Sequence, residues 1–125
     1  MSYDILFQVR VHGTDLYVPA WHSANVTWNV RDIIVEFTGL DWNNEANNGL
    51  CTDVIPKIRE GRRKIDKTIK EYDGSKSPYS LGQLKSVNNF FLEILDDWRE
   101  FGVCYPDLVP HVTFWITKGY ENERF

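Results

Sequence analysis

The densest group of residues that could do chemistry is a run of positive charge in the middle of the chain. Seven of the fourteen basic residues lie between Lys57 and Lys70 with only two acidic ones, so this segment carries +5 and the rest −9. Charge gathered in this way concentrates anions locally, even on a protein whose net charge is −4. We therefore expect an anionic ligand to bind here, held by Arg59, Arg62, Arg63 and Lys67. The alternative is that these cations only form the solvated face of an amphipathic helix.

Aromatic residues are the second candidate group. Phe, Trp and Tyr make up 14% of the chain, and five of these residues are Trp. Large rings usually fill a small core, because each one removes a large apolar area from water. Some rings could instead stack on a flat ligand, and the candidates for that role are Trp28, Trp42 and Trp115.

Strand-like alternation predicts a sheet face rich in hydrogen-bonding groups. Apolar and polar residues alternate near both ends of the chain, as they do in a sheet with one covered face. The polar set comprises Gln8, Arg10, His12, Asn25, Thr27, Asn29, His111, Thr113 and Trp115. Such groups recognise planar polar ligands, so Arg10, Asn25 and Asn29 join the candidate ligand-binding residues. The alternatives are an ordinary solvent-facing surface and, for Asn29, the N-cap of the next helix.

Signatures of enzymes are weak in this sequence. It has no glycine-rich phosphate loop, and its three histidines do not have the spacing of metal ligands. Cys51 precedes a predicted helix, a position that can lower the pKa of a thiol, but no histidine lies near it in sequence. We therefore predict a non-enzymatic protein with no catalytic residue, no metal site and no cofactor.

The elements that must position these residues follow from periodicity. Strands are predicted at 5–11, 16–18, 23–29 and 111–117, a short helix at 30–37, and long helices at about 52–72 and 80–101. The turn residues 12–15 are predicted to join the first two strands in a hairpin, and Gly61 is expected to allow a neighbouring element to approach the first long helix closely. The Asn-rich segment 41–49 is predicted to be a loop. The expected fold is α+β, with a four-stranded, mainly antiparallel sheet and two long helices and one short helix packed on one face. Residues 1–118 form one domain, and 119–125 form a polar C-terminal tail.

Cysteine content and hydropathy indicate the compartment. Two cysteines are too few for a disulfide scaffold, so Cys51 and Cys104 are expected to be free, buried thiols. No segment has the run of apolar residues that spans a bilayer, and Met1–Asp4 does not begin a signal peptide. We therefore expect a cytoplasmic protein with no membrane partner.

Four sequence blocks resemble those of a family of small uncharacterised bacterial and bacteriophage proteins. The blocks are Met1-Ser2-Tyr3-Asp4, then Asn25-Val26-Thr27-Trp28-Asn29, matching that family's NVTWN or NVTYN block, then Gly49-Leu50, then Ile55-Pro56-x-Ile58 with Gly61. Members often carry an NGWG block before the last helix, whereas this chain has Ser77–Gly82 there. The resemblance implies no activity, only a setting in a bacterial host cell, where many such accessory proteins act by binding.

These observations favour a binding function. The expected protein is a phage-type accessory or counter-defence protein that sequesters a small anionic, nucleotide-like ligand. The alternative is a protein–protein inhibitor or adaptor that engages a basic partner through the acidic patch Glu93, Asp96, Asp97 and Glu100. The net charge of −4 argues against general nucleic-acid binding. The uncovered sheet face around Trp115 predicts a homo-oligomer, in the simplest case a homodimer.

Overall fold

The fold is an antiparallel sheet with three helices on one face. The computed structural model describes residues 2–42 and 45–118, except for the side chains of Trp28 and Glu45. The predicted tail at 119–125 lies outside the described residues. The strands are β1 (Ser2–Arg10), β2 (Tyr17–Thr27), β3 (Glu45–Leu50) and β4 (Val112–Lys118). The helices are α1 (Arg31–Thr38), α2 (Cys51–Lys70) and α3 (Leu81–Cys104), with short 3-10 turns at Trp28–Val30 and Val109–His111.

The sheet has the strand order β2-β1-β4-β3, and all three strand pairs are antiparallel. The predicted α+β class, the four-stranded antiparallel sheet and the one-sided helical layer are thus confirmed. The first turn also forms as predicted: Gly13 has a φ of 77°, and the amide of Val11 donates to the carbonyl of Leu16 at 2.7 Å. Among the described residues, no helix is long and apolar enough to cross a membrane.

Two strand predictions were wrong in detail. The segments 16–18 and 23–29 belong to a single strand, β2. This strand stays continuous although its pairing with β1 shifts register twice. The Asn-rich segment predicted as a loop contains the edge strand β3, in which Ala46 pairs with Ile116 and Asn47 with Trp115. Asn has low strand propensity, so pairing with β4 determines the conformation of this segment rather than local preference.

The starts of two helices also differ from prediction. Asn29 is not an N-cap: α1 begins after Val30 with no side-chain cap, and the Asn29 Oδ1 atom accepts a hydrogen bond from Thr27. The helix α2 begins at Cys51 because β3 runs directly into it, which leaves no loop residue to cap its N-terminus. By contrast, Ser80 caps α3 in a reciprocal capping box with Gln83.

The hydrophobic core lies between the sheet and the helices. Phe7, Phe91, Phe101 and Phe114 are its largest fully buried side chains. The predicted close approach at Gly61 is present, since a Cβ atom there would lie 2.9 Å from the backbone oxygen of Phe37. The core cluster draws on only one face of the sheet, and its strand residues are Tyr3, Ile5, Phe7, Ala24, Val26, Val112, Phe114 and Ile116. The other face is therefore free to carry the polar residues.

Candidate functional site

The strongest candidate site is a cavity of about 560 Å³ at one end of the sheet, which we call the sheet-end cavity. It lies where β1 ends, β2 begins, β3 runs into α2, and the second 3-10 turn leads into β4. Nine residues line it: Val9, Arg10, His12, Tyr17, Leu50, Leu108, Pro110, His111 and Thr113. Its volume is within the range of pockets that bind small molecules.

The polar groups of the sheet-end cavity favour an anion. The described residues that line it bring together one guanidinium, from Arg10, and two imidazoles, from His12 and His111, and include no carboxylate. Tyr17, which pairs with Arg10 across the β1–β2 ladder, adds a phenol. A guanidinium and hydrogen-bonding rings beside walls of Val, Leu and Pro suit a ligand with an anionic end and an apolar body.

A fixed aromatic pair continues from the cavity along the outer sheet face. The rings of Tyr17 and Trp115 have centroids 5.0 Å apart. The Trp115 Nε1 atom donates to the Thr113 Oγ1 atom at 2.8 Å, and that hydroxyl donates to the backbone carbonyl of Gln8 at 2.8 Å. The indole is therefore held in one orientation while its side chain remains half-buried.

This outer face is less open than the sequence indicated. Gln8 and Thr113 are only 8% and 9% exposed, although no core residue lies on their side of the sheet. Cross-strand neighbours account for this burial, because Gln8 sits opposite Thr113 and beside Pro19 in the ladders. The accessible polar groups are concentrated at the cavity end, where Arg10, His12 and His111 are exposed.

Asn25 and Asn29 lie at a different place. They line a second cleft, of about 620 Å³, between the end of β2 and the first half of α3. The Asn25 Nδ2 atom donates to the Asp4 Oδ1 atom at 2.6 Å, and the Asn29 Oδ1 atom accepts a hydrogen bond from the Thr27 hydroxyl. The lining of this cleft is mostly neutral, with Glu93 as its one charged residue. The cleft therefore offers hydrogen bonds without positive charge.

The cations predicted to bind the ligand form a stripe along α2, which we call the basic stripe: Arg59, Arg62, Arg63 and Lys67. Arg59, Arg63 and Lys67 are exposed, whereas Arg62 is half-buried. The two acidic residues among these cations are both paired, since Glu60 accepts a hydrogen bond from the Arg63 Nε atom at 2.9 Å and Asp66 lies 3.1 Å from Lys70. The hydrogen bond from Arg63 lowers the pKa of Glu60. The stripe residues line neither the sheet-end cavity nor the cleft at Asn25 and Asn29.

The three candidate tryptophans have different positions. Trp115 is next to the sheet-end cavity, as described above. Trp42 is 5% exposed and packs edge-on against Tyr3, with ring centroids 5.2 Å apart, so its ring fills the core and offers no free face to a ligand. The side chain of Trp28 lies outside what the structure describes.

The two cysteines are free, but only one is buried. Burial raises the pKa of Cys51 to about 12, the opposite of the effect expected at a helix start. Desolvation therefore outweighs the helix terminus, and Cys51 is not an activated nucleophile. Cys104 is exposed, contrary to expectation, because α3 continues past Gly102 beyond the core. The described residues contain no cluster of three potential metal ligands.

Sequence reasoning found part of the cavity. Arg10 was a candidate residue, and His12, His111 and Thr113 were assigned to the same face by alternation. It missed Tyr17, Leu50, Leu108 and Pro110, which come from three separate segments. The only sequence signal for Tyr17 was its place on the return strand of the predicted hairpin, opposite Arg10.

Comparison of the chain with protein-family models, with curated proteins and with solved structures gives no match in any of the three. The resemblance to the family with the NVTWN or NVTYN block therefore stays a prediction. Function has to be argued from the geometry of the site.

Proposed function

We propose that the protein binds a small anionic, nucleotide-like ligand in the sheet-end cavity. The observation that carries the proposal is that Arg10, His12 and His111 line one cavity whose described lining includes no carboxylate. Arg10 would pair with a phosphate group, because a guanidinium forms paired, charge-assisted hydrogen bonds to phosphate oxygens. A ring attached to that phosphate could lie against the Tyr17–Trp115 pair, whose aromatic faces suit a planar base.

The cavity supports this function better than the basic stripe does. Arg59 lies nine positions after Leu50, the cavity residue that directly precedes α2, which corresponds to about 14 Å along the helix axis. Exposed charges at that separation are largely screened at physiological ionic strength, where the Debye length is about 8 Å. The stripe therefore contributes at most a general field to a ligand in the cavity, whereas Arg10 can touch it.

The test is a titration with inorganic phosphate, pyrophosphate and adenosine monophosphate, followed by calorimetry. All three should bind, the nucleotide most tightly. Arg10→Gln should weaken each of them at least tenfold, because a charged hydrogen bond contributes about 1.5–3 kcal/mol. Arg99→Gln is the matched control, since Arg99 is exposed and its partner is Asp96 on α3. Equal affinity in the wild type and Arg10→Gln would refute the cavity as the site, and loss of binding on neutralising Arg59 and Arg63 would transfer the site to the stripe.

The biological setting is part of the proposal. We propose that this binding sequesters a nucleotide-like signal, as expected of a phage-type counter-defence protein acting in the cytoplasm of a bacterial host. Thermal stability supplies a direct check, because a bound ligand stabilises the folded state in proportion to RT ln(1 + [L]/Kd). The protein recovered from infected cells should melt at a higher temperature than the same protein after denaturation and refolding. Identical melting temperatures would count against sequestration.

Binding of a basic protein through the acidic patch is the second candidate. Glu93 and Glu100 are exposed on α3, which supports it. Asp96 and Asp97 are already engaged, by Arg99 and by the hydroxyl of Ser23 at 2.7 Å, which makes them less available to a partner. Glu93→Gln with Glu100→Gln should therefore abolish capture of a basic partner if this candidate is right, and should not affect phosphate binding.

A further inference from the structure

The pairing of two imidazoles in one cavity is not needed for binding alone. His12 lies in the β1–β2 turn and His111 immediately precedes β4, 99 positions later, yet both side chains line the sheet-end cavity together with Arg10. The third histidine, His22, lies in β2 outside the lining, with its Nε2 atom 3.5 Å from the Asp4 Oδ1 atom. The chain thus offers two histidines where the proposed ligand would sit and one elsewhere.

We infer that this cavity cleaves a ribonucleotide phosphodiester, with His12 and His111 as the proton-transferring pair. The inference rests on the binding part of the proposed function, because it needs the phosphate to bind beside Arg10, and it replaces sequestration of the ligand with its turnover. Histidine is the side chain that most often transfers protons near neutral pH, as an acid in its charged form and as a base in its neutral form. A guanidinium next to such a pair stabilises the negative charge that develops on the phosphate oxygens.

The dimensions of the cavity fit this chemistry. A sphere of the cavity's volume, about 560 Å³, is about 10 Å across. When an attacking and a leaving oxygen lie in line on one phosphorus, and each is hydrogen-bonded to an imidazole, the two imidazoles stand about 9 Å apart. A cavity of this size can therefore hold one phosphate with an imidazole at each of its two in-line oxygens.

The side chains that line the cavity indicate which type of substrate it could cleave. The cavity supplies a cation and two proton carriers, whereas its threonine hydroxyl is committed to Gln8 and Trp115, and Cys51 is buried. A substrate that brings its own nucleophile fits this set, and the 2′-hydroxyl next to a 3′,5′-phosphodiester is such a group. The aromatic pair Tyr17–Trp115 then offers a surface for one of the two bases.

The step balances without any further reactant. One imidazole removes the proton of the 2′-hydroxyl, the 2′-oxygen forms a bond to phosphorus, and the bond from phosphorus to the 5′-oxygen breaks. The second histidine, in its protonated form, gives its proton to the departing 5′-oxygen. The products are a 2′,3′-cyclic phosphate and a free 5′-hydroxyl. The first histidine ends protonated and the second ends neutral, the reverse of their starting states.

The experiment uses the ribodinucleotide uridylyl-3′,5′-adenosine, with product formation followed by chromatography. The wild-type protein should release the cyclic phosphate and adenosine, and the deoxy analogue, which lacks the 2′-hydroxyl, should remain intact. His12→Gln and His111→Gln should each lower the turnover rate at least 100-fold, the lower end of what acid–base catalysis contributes. Their affinity for inorganic phosphate should fall less than fivefold, because Arg10 remains. His22→Gln, purified in the same way, should retain full turnover.

Each other outcome is decisive. Phosphate binding without turnover by the wild type would overturn this inference and leave the proposed function standing. Failure to bind phosphate at all would overturn both. Equal turnover in the wild type, His12→Gln and His111→Gln would identify a contaminating nuclease and overturn the inference. Unchanged melting temperatures in the variants would show that a lost rate reflects chemistry and not unfolding.

Discussion

The sheet-end cavity and the basic stripe both offer groups that can hold an anion, yet they are built in different ways. The stripe comes from one continuous segment, α2, in which Arg59, Arg63 and Lys67 recur every four residues and are exposed. The cavity comes from separate segments, and its guanidinium and two imidazoles lie near the ends of strands beside apolar walls. The stripe has more charge, whereas the cavity has the concave shape.

This difference separates two ways in which a protein can attract an anion. Charged side chains on the convex surface of a helix attract an anion through an electric field that salt screens, and they cannot exclude water from a small ligand. A concave site holds its ligand between fixed groups in a less polar environment, where each hydrogen bond contributes more. For a small ligand, three polar residues in a cavity therefore matter more than four cations on a helix surface.

The largest expected effect is a difference in the alkylation rates of the two cysteines, one of which lies at the boundary between the cavity and the helix that carries the stripe. Cys51 is the first residue of α2 and directly follows Leu50, which lines the cavity. Because burial raises the pKa of Cys51 to about 12, its thiolate is scarce at pH 8, whereas Cys104 is exposed. Alkylation by iodoacetamide at pH 8 should modify Cys104 first, with Cys51 slower by on the order of 1000-fold. Mass spectrometry of timed samples measures both rates, and comparable rates would mean that the cavity opens into the core.

A smaller expected effect, on the free energy of unfolding, tests how closely α2 packs against α1. Gly61→Ala would bring a Cβ atom within 2.9 Å of the Phe37 backbone oxygen, so it should lower the free energy of unfolding by about 1–3 kcal/mol. The matched control is Gly102→Ala in α3, where the nearest atom is 3.7 Å away and the better helix propensity of Ala can raise stability by up to about 1 kcal/mol. Urea denaturation measures both, and an unchanged midpoint for Gly61→Ala would show that α1 and α2 are less closely packed.

The smallest effect lies within the stripe itself. Arg59→Gln removes a like-charge neighbour of Arg63 at i,i+4, so it should stabilise the helix by about 0.2–0.5 kcal/mol. Arg63→Gln also relieves repulsion, but it loses the hydrogen bonds to Glu60, so its melting temperature should rise less or fall. Differential scanning calorimetry compares the two.

The double variant Arg59→Gln, Arg63→Gln then links stability to binding. It should melt no lower than the wild type and keep its affinity for phosphate within twofold. A large loss of affinity would show that the stripe, and not the cavity, holds the anion.

Much of the fold could be predicted because its signals are local. Alternation identified β1 and β4, and the apolar periodicity of Ile58, Ile65 and their neighbours identified α2 and its exposed cations. Less of the site could be predicted. Arg10 was identified from its type and its place on a strand, but Trp42 was named as a possible stacking residue and lies in the core. A single tryptophan carries no sequence signal that distinguishes a core ring from a surface ring, since burial depends on which elements pack against it.

The sequence by itself determined the α+β class, the helices, the one-sided amphipathic sheet and the uneven distribution of charge. These properties depend on apolar residues that recur every two positions in a strand or every 3.6 positions in a helix. Such a pattern can be recognised within a single short segment. Only the tertiary structure decided that the Asn-rich segment is a strand, that Cys51 is buried while Cys104 is exposed, and that His12 and His111 share a cavity. Each of these results depends on contacts between segments far apart in the chain, and those contacts form only when the strands pair and the helices pack against them.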